Sequence, residues 1–406
     1  MLKEPGPLHG VRVLDFTQML AGPYCSMIFA DLGAEVLKVE FLEGDRSRRL
    51  GPFPPANANP AFGGYFQSIN CGKKSIAINL KEKKGRETIL ALAKSTDLIL
   101  ENFRPGVMER LGLSYESFKK INPRIVYGAV RGFGDPRTGK SPYADWPCFD
   151  VIAQAMGGLV GGSGPDEAHP SKAGPSLGDI IPGLFLAIGV LAAYRHAQLT
   201  GEGQFVDVSM YDSVISVCER LIHQFSYTGM NPAPEGNHHP LVCPFGIFPA
   251  NDGFVSIACP DPFWATLAQI IDGPGLANNQ NFITNEQRLA RRQEVLAIVS
   301  EWTSLHSRDE LKDKLGGHVP FGPVNSAQDI VSDLHAQVRS MIVEMAHPGS
   351  VQKTFGVANT PIRMTATPSG HRFRSPMLGE HTEEILRAAG HMPRSIETLR
   401  KERIIL

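Results

Sequence analysis

The first 130 residues alternate short apolar segments with segments of helical periodicity, and this alternation limits the folds open to the chain. Apolar segments lie at 11–16, 34–40, 75–79, 98–101 and 125–130. Helical segments lie between them at 23–32, 84–94, 106–111 and 115–120. Strands that alternate with helices typically form a parallel sheet whose faces are covered by those helices. The sequence therefore predicts an α/β fold with a Rossmann-like sheet.

The character of the sequence changes twice further along the chain. A long apolar segment at 180–198 predicts a helix, and a strand at 204–210 and a helix at 212–224 follow it. From about residue 227, loops rich in Gly, Pro and Asn surround a predicted strand pair, 246–249 and 253–259, joined by the typical hairpin turn Asn251-Asp252-Gly253. A charged helical stretch covers 286–315, and helix and strand texture resumes near 324. We predict a discontinuous large domain of residues 1–225 and 326–406, and a smaller α+β domain of residues 226–325.

Charge and cysteine content argue against several classes of protein. The 406 residues include 40 basic and 41 acidic side chains, for a formal net charge of −1. Such a balance gives no general attraction for nucleic acid or an anionic membrane, so any anion site has to be built from a few placed residues. The six cysteines are scattered, with neither a C-x-x-C pair nor metal-ligand spacing. We expect no nucleic-acid or membrane partner and no metal site.

The predicted location is the cytoplasm. Residues 1–10 lack the apolar stretch of a signal peptide, and scattered cysteines are typical of a reducing compartment. The apolar segment 180–194 is short and contains Pro182, Gly183 and Gly189, so we predict a buried core helix there rather than a membrane span. Another reducing compartment, such as a mitochondrial matrix after removal of a transit peptide, stays open.

Common cofactor fingerprints are missing from the sequence. The first strand–helix turn, residues 17–23, holds a single glycine, although Glu40 ends the second strand where a dinucleotide fold would bind ribose. Without G-x-G-x-x-G a pyrophosphate cannot approach the backbone closely, and no P-loop, G-x-S-x-G or H-E-x-x-H occurs. Neighbouring His238 and His239 cannot face one another on a regular element, so a metal pair is not expected. The lysines around 73–84 form either a solvated rim or a place for a phosphorylated ligand.

Asp179 lies where a loop rich in Gly, Pro and Ser meets the longest apolar segment of the chain. This position predicts a carboxylate in the first turn of a helix, where free N–H groups and the helix dipole would keep it ionised. An ionised carboxylate can act as a nucleophile without a separate base. Aspartate is also among the commonest N-cap residues, and the local context alone favours that structural role.

Seven motifs in order along the chain resemble those of class III coenzyme A-transferases, the CaiB/BaiF family that includes formyl-CoA transferase. The longest is LDFTQMLAGPYCSMIFADLGAEVLKVE at 14–40, preceded by Leu8-x-Gly10. The others lie at 70–76, 102–106, 149–155, 178–179, 200–210 and 376–382. Each motif alone is weak, but their order and spacing are specific, and the resemblance covers essentially the whole chain.

The resemblance implies that Asp179 is the catalytic nucleophile of a CoA-transferase. In the family mechanism this carboxylate attacks the thioester of a donor acyl-CoA, giving a mixed anhydride and CoA thiolate. The thiolate then forms an aspartyl-CoA thioester, and an acceptor acid reverses the two steps. No base is needed, since a carboxylate is already charged at neutral pH. The implied cofactor requirement is correspondingly simple, with coenzyme A or acyl-CoA as substrate and no permanently bound group.

The resemblance also assigns positions around coenzyme A. The matching residues are Leu20, Ala21, Ile78, Lys81, Asn102, Phe103, Arg104, Arg110, Phe149 and Asp150. Two positions depart from the pattern, because Phe41 and Pro147 stand where some relatives have an arginine and a lysine. Phosphate contacts would then come from other residues, with Lys38, Lys74 and Arg104 as candidates.

Two rival functions remain within this resemblance. α-Methylacyl-CoA racemases of the same family have a histidine at the position of Phe149, and a phenyl ring cannot carry a proton. A catalytically silent CoA-binding protein is the other rival, and the intact Asp179 argues against it.

The acceptor is expected to be a small carboxylic acid, with a di- or hydroxy-acid favoured and a succinyl-type donor; oxalate, carnitine and aromatic acids stay possible. Arg46, Arg48 and Arg49, or His238 and His239, are candidates to hold a distal carboxylate. The family also implies an interlocked homodimer of open rings, with the active site between domains. The loop 235–240, with Gly236, Asn237, His238 and His239, is then a candidate lid and a candidate source of oxyanion-stabilising N–H groups.

Overall fold

The computed structural model describes residues 4–54, 61–350 and 354–406. In chain order the strands are β1 Arg12–Asp15, β2 Glu35–Glu40, β3 Lys73–Ala77, β4 Leu98–Glu101, β5 Val126–Arg131, β6 Phe205–Ser209, β7 Phe245–Ala250, β8 Gly253–Ala258, β9 Phe321–Pro323, β10 Ile342–Ala346 and β11 Thr354–Ala358.

Helices connect these strands. They are α1 Ala21–Asp31, α2 Gly64–Ile69, α3 Lys83–Leu92, α4 Val107–Arg110, α5 Tyr115–Ile121, α6 Asp150–Met156, α7 Leu159–Gly162, α8 Leu177–Thr200, α9 Met210–Val217, α10 Glu219–Thr228, α11 Asp261–Asp272, α12 Pro274–Ala277, α13 Asn285–Ala290, α14 Arg292–Ser304, α15 Arg308–Leu315, α16 Ala327–Ser332, α17 Leu334–Val338, α18 Thr382–Ala388 and α19 Pro393–Lys401. Short 3₁₀ turns cover Arg46–Arg49 and Ala93–Ser95.

The chain divides into two compact units. The first contains Met1–Gly158, Gly174–Glu219 and Leu334–Leu406, and the second contains Leu159–Ala173 and Arg220–Asp333. The predicted large domain included residues 159–173 and ran on to 225, whereas here the segment 159–173 belongs with the second unit. Sequence texture could not place this segment, because its few hydrophobic residues show no strong periodicity.

A six-stranded sheet organises the first unit, and it confirms the predicted α/β class and Rossmann-like topology. Its strand order is β3-β2-β1-β4-β5-β6, and every neighbouring pair is parallel. All four residues of β4 are buried, as expected of a central parallel strand covered on both faces. The strand order reverses direction between β1 and β4, and ligands of such sheets bind outside the carboxyl ends of the strands at this point.

Helix α8 has one buried face and one exposed face, although both faces are apolar. It packs against α1, β5 and β6, with Gly183, Leu186 and Val190 among its buried residues. Its other side exposes large apolar side chains, with Ile188 63% and Leu199 68% exposed. The prediction of a buried core helix is therefore right for one face and wrong for the other. By length and apolar composition α8 could also cross a membrane, which is weak support for a span because core helices of soluble proteins share both properties.

The second unit contains the antiparallel sheet β7-β8-β9 and the helices that cover it. The predicted hairpin is confirmed, since Ala250 pairs with Gly253 across a two-residue turn. Trp264, Phe248 and Val299 lie in its apolar core. The charged stretch 286–315, predicted to be helical, forms three helices, and capping boxes at Thr284 and Ser307 begin the first and the third.

Candidate active site

A cavity of about 440 Å³ lies at the carboxyl ends of β1, β4 and β5, at the reversal of strand order. Its walls come from the turn after β1, the 3₁₀ turn, the loops after β4 and β5, and the start of α8. The lining residues are Gln18, Met19, Leu20, Ala21, Arg46, Leu50, Asn102, Phe103, Arg104, Pro105, Val130, Arg131, Gly132, Ala144, Trp146, Pro147, Cys148, Phe149, Asp179 and Met210. The fold thus brings Asp179 together with six of the ten predicted CoA-contact positions, namely Leu20, Ala21, Asn102, Phe103, Arg104 and Phe149.

Asp150, rather than Asp179, caps helix α8. The Asp150 Oδ1 atom accepts a hydrogen bond from the backbone N–H of Gly178 at 2.8 Å and another from Gln154 Nε2 at 2.8 Å. Gly178 permits this approach, because a β-carbon there would lie 2.4 Å from the Asp150 carbonyl oxygen. Asp150 does not line the cavity, and in the structure it caps α8; its place beside the thioester stays a prediction.

Asp179 is the third residue of α8, and its carboxylate has no partner. Within residues 4–54, 61–350 and 354–406, no hydrogen bond or ion pair reaches its oxygen atoms. Burial, and then the negative charge of Asp150, raise the pKa of Asp179 to about 7. The prediction that the helix terminus keeps this carboxylate fully ionised is therefore wrong, because desolvation and a second carboxylate outweigh the helix dipole. An unpaired carboxylate of this kind can attack an electrophilic carbonyl once it is ionised.

Two weak acids beside Asp179 stay protonated. Burial and the charge of Asp179 raise the pKa of the Cys148 thiol to about 11. Burial, followed by the charges of Asp179, Asp45 and Asp150, raises the pKa of Tyr65 to about 12. Both groups are therefore neutral hydrogen-bond donors at neutral pH.

The turn after β1 has an unusual backbone that two side chains hold in place. Met19 has a φ of 67°, a left-handed conformation that residues with a β-carbon rarely adopt. The Asn102 side chain accepts from Gln18 N at 2.8 Å and donates to Gln18 O at 2.7 Å. Asp45 Oδ1 accepts from Met19 N at 3.3 Å. Asn102, predicted beside the pantetheine, thus lies at the cavity with both polar atoms bonded to the turn.

Buried ion pairs fix the 3₁₀ turn beside this backbone. Lys38 Nζ lies 2.9 Å from Asp45 Oδ2 and donates to Thr17 O at 2.8 Å. Arg48 forms two hydrogen bonds of 2.7 Å with the Glu40 carboxylate. These side chains are buried among strands β1 to β3 and are unavailable to a ligand.

Two of the three replacement phosphate contacts suggested by the sequence do not line this cavity. Lys38 is fully buried in its pair with Asp45. Lys74 bonds Glu35 at 3.0 Å and Glu384 at 2.8 Å, away from this cavity. Arg104 alone of the three lines the cavity, and its side chain is exposed.

The other predicted CoA positions lie elsewhere in the first unit. Ile78 is fully buried in the main apolar core, which leaves no surface for contact with a ligand. Lys81 follows β3 and Arg110 ends α4; both are exposed and neither lines the cavity. Phe41 packs edge-on against Phe103 with ring centroids 6.3 Å apart, so it replaces a charge by an apolar contact.

Several cavity residues were missed by the sequence analysis. Arg131 ends β5 and is buried between Glu101, at 2.5 Å, and Asp135. Burial raises the pKa of Glu101 to about 7 in spite of Arg131. Gln18, Trp146 and Cys148 also contribute to the walls. The ends of β4 and β5 at the reversal of strand order were a usable signal, since this edge of a parallel sheet holds most ligand sites.

The loop 235–240 belongs to the second unit. Glu235 pairs with Arg220, and His239 Nε2 lies 3.2 Å from Arg220 Nη1. Burial and the nearby charge of Arg292 lower the pKa of His238. Glu235, His238 and Pro240 line a second cavity of about 440 Å³ within this unit. Movement of this loop as a lid stays a prediction.

Comparison with known proteins finds relatives over nearly the whole chain. The model of CoA-transferase family III matches residues 8–382. A succinyl-CoA:mesaconate CoA-transferase of Haloarcula marismortui is 42% identical over 386 residues, which cover 95% of this chain and 97% of that protein. A succinate–glutarate CoA-transferase of Agrobacterium fabrum is 35% identical, over 94% of this chain and 95% of that protein.

A solved structure has the same fold. The crystal structure of a CaiB/BaiF family protein from Brucella suis superimposes with a TM-score of 0.84 at 32% identity, covering 95% of this chain and 100% of that one. Fold and sequence similarity agree over nearly the whole length. The chain therefore belongs to CoA-transferase family III, the CaiB/BaiF family, and is an enzyme of the CoA-transferase type.

Proposed function

We propose that this enzyme transfers CoA from succinyl-CoA, or a similar donor, to a small dicarboxylic acid, with Asp179 as the nucleophile. The observation that carries the proposal is the unpaired carboxylate of Asp179 at the wall of the cavity. Its neighbour Asp150 provides the helix cap, so Asp179 has no structural hydrogen bond to give up when it reacts.

The proposed exchange balances without an added base. An Asp179 oxygen attacks the thioester carbonyl, the C–S bond breaks, and CoA leaves as a thiolate. The thiolate attacks the aspartyl carbonyl of the mixed anhydride and releases the donor acid as a carboxylate. The acceptor carboxylate then attacks the aspartyl-CoA thioester, and the released thiolate takes the acyl group from the new anhydride. No proton is gained or lost overall, so the exchange needs no deprotonation of Cys148 or Tyr65, which stay protonated at neutral pH.

Support for a dicarboxylate comes from two directions. Relatives are named for transfer to mesaconate, glutarate, D-citramalate and L-malate, with succinyl-CoA or succinate as the other partner. The cavity itself carries two exposed guanidinium groups, Arg46 and Arg104, which suit a substrate with anionic groups at both ends. Racemisation is disfavoured, because Phe149 offers no group that could move a proton at the α-carbon.

Coenzyme A is proposed to lie along the turn after β1 and the loop after β4. Leu20, Ala21, Phe103 and Phe149 would supply apolar contacts, and Arg104 a phosphate contact. Asn102 would act through the backbone that it holds. Ile78 has no place in this proposal, because it is enclosed in the core.

The direct test is to incubate the enzyme with succinyl-CoA and a panel of short dicarboxylic acids, and to trap intermediates with hydroxylamine or borohydride. Modification is expected at Asp179, with turnover in Asp179→Asn reduced on the order of 10³-fold or more. Modification at another residue, or undiminished turnover in the variant, would contradict the mechanism. Deuterium exchange at the substrate α-carbon without CoA transfer would favour a racemase instead.

The Asp179→Asn variant is expected to fold normally. The raised folded-state pKa means that ionisation of Asp179 opposes folding progressively between its ordinary pKa, near 3.9, and about 7. Above that range the full penalty is present in the wild type and absent in the variant. The thermal unfolding midpoint at about pH 8 should therefore be equal to or above that of the wild type, which separates lost chemistry from lost structure.

We also propose that the enzyme is a homodimer, of the interlocked kind that the family resemblance implies, in a reducing compartment such as the cytoplasm. The exposed face of α8, with Leu184, Phe185 and Ile188, is apolar enough to need a partner. All six cysteines are unpaired, and five are buried. Light scattering after gel filtration should give twice the chain mass, and a monomer would contradict the proposal.

A further inference from the structure

We infer that Arg46 binds the distal carboxylate of the transferred acyl group and thereby selects dicarboxylic acids. The inference rests on the proposed function and adds the residue that determines its specificity. A guanidinium binds a carboxylate through two parallel N–H···O bonds, a geometry that a monocarboxylic acyl group cannot use.

Three arginines occupy one 3₁₀ turn, and the structure separates their roles. Arg48 is 2% exposed and bonded to Glu40, with a further hydrogen bond of 3.0 Å to Pro376 O. Arg49 is exposed but does not line the cavity. Arg46 is exposed and lines it. In the part of the chain that the structure describes, no acidic group or hydrogen-bond acceptor holds the Arg46 side chain.

The wall that carries Arg46 lies close to the nucleophile. Tyr65, on α2, is near enough to Asp45 and to Asp179 for both charges to act on its phenol, and Asp45 directly precedes Arg46. The 3₁₀ turn packs against α2, the helix that carries Tyr65. An acyl group whose carbonyl meets Asp179 therefore has a free cation within the same cavity.

The second exposed guanidinium of the cavity is that of Arg104, and it lies on the other side of the turn after β1. Arg46 follows β2 and Arg104 follows β4, while the turn 17–20 follows β1, which lies between those two strands. The loop after β4 is the one proposed for coenzyme A, with Phe103 beside Arg104. The third arginine of the cavity, Arg131, is paired with Glu101 and Asp135. Arg46 is therefore the cation available to the acyl end of the substrate.

Hydrogen bonds fix the backbone at Arg46, which suits a residue that discriminates between acyl groups by the position of a distal carboxylate. Asp45 accepts from Ser47 N at 2.9 Å, and its other oxygen is paired with buried Lys38. Asp45 N donates to Glu40 Oε2 at 3.0 Å. The start of the arginine side chain is therefore fixed, and only its outer part adjusts to ligands of different length.

The test compares acids of equal length that differ only in the distal carboxylate. In a two-step exchange, kcat/KM for the acceptor reports only the half-reaction of the acceptor. Carbon-14-labelled succinate and butyrate are therefore compared with unlabelled succinyl-CoA as donor, and transfer is measured as label in the CoA thioester, because transfer to succinate otherwise regenerates the donor. The wild type should favour succinate. In Arg46→Gln the succinate-to-butyrate ratio should fall on the order of 10- to 100-fold, the range of a charge-assisted hydrogen bond. Arg46→Lys should keep part of the ratio, because it keeps the charge without the planar fork.

Arg49→Gln is the matched control, since it removes the same charge three residues away outside the cavity, and its ratio should equal that of the wild type. An unchanged ratio in Arg46→Gln overturns the inference. An equal loss of kcat/KM for succinyl-CoA and butyryl-CoA would also overturn it, by making Arg46 a contact to coenzyme A. A wild type that transfers CoA to both acids equally well would overturn the role of Arg46 in binding the distal carboxylate, but it would not contradict the proposed CoA transfer. A wild type that transfers CoA to no carboxylic acid would overturn the proposed function as well.

Discussion

Two aspartates lie near the start of α8, and they have different roles. One caps the helix and the other has no hydrogen-bond partner among the described residues. Asp150 satisfies the N–H of Gly178 from a different helix, and Asp179 is left with an unpaired, partly buried carboxylate. The charge of Asp150 also contributes to the raised pKa of Asp179, after burial. Asp150 therefore raises the pKa of Asp179 and also caps the helix that carries it.

Replacement of Asp150 by Asn tests this coupling. The amide oxygen can still accept from Gly178 N, but the negative charge is removed, so the pKa of Asp179 should fall below 7 without reaching its ordinary value near 3.9, because burial remains. The acidic limb of the profile of kcat/KM against pH should shift to lower pH. An unchanged limb would show that a different group controls the profile, and unchanged thermal stability would confirm that the cap survives.

At the scale of an element, the turn between β1 and α1 replaces the glycine-rich loop of dinucleotide-binding folds. Its backbone reaches the left-handed region at Met19, a residue with a β-carbon, because Asn102 and Asp45 bond the flanking amides. These two side chains come from the ends of other strands or loops. The shape of the cavity wall is therefore set by contacts between elements rather than by the composition of the turn.

Asn102→Ala should weaken this wall. Loss of two hydrogen bonds to Gln18 should cost about 1–3 kcal/mol of stability, and kcat/KM for the acyl-CoA should fall as the turn relaxes. Glycine adopts a positive φ without strain, so the same substitution made in a Met19→Gly background should cost less activity. Equal losses in both backgrounds, measured by steady-state kinetics, would show that Asn102 acts on the substrate directly.

Sequence patterns predicted the strands and helices far better than the contacts that these elements make with one another. The strands of the parallel sheet were predictable because buried parallel strands form continuous apolar segments. The face of α8 that packs on α1 was not predictable, since the helix is apolar all round. Lys38 was a candidate phosphate ligand because of its charge, and only the fold showed that it is buried in an ion pair with Asp45.

At the scale of the whole molecule, both ends of the chain build the first unit. His371, near the C-terminus, joins Asp31 at the end of α1 with Nδ1 2.6 Å from Asp31 Oδ1, while its Nε2 lies 2.8 Å from Ala358 O. Both partners are acceptors, so the imidazole bonds both only when it is protonated. Burial alone would lower the pKa of His371, but the hydrogen bond and charge of Asp31 outweigh it and raise that pKa.

His371→Gln should therefore destabilise the enzyme in a way that depends on pH. A raised folded-state pKa stabilises the fold fully below the unfolded value near 6.5, and the contribution is lost as pH rises through the folded value. Denaturant titrations should show a deficit of about 1.5–3 kcal/mol near pH 6 that shrinks in alkaline solution. His335→Gln, at an exposed position of the same unit, is the control. A deficit that does not change with pH would contradict an ionised pair.

The sequence by itself determined the class of the fold and the family, and it singled out Asp179 as the proposed nucleophile, because strand periodicity and ordered motifs are local properties of the chain. Only the tertiary structure decided what surrounds Asp179. Asp150 lies 28 residues before Gly178 and caps its helix, Arg48 is enclosed where Arg46 is free, and Ile78 lies in the core instead of at the ligand. Burial and charge pairing are created by segments that meet only on folding, so the pKa of Asp179 near 7 and the free cation of Arg46 could not be read from residue types alone.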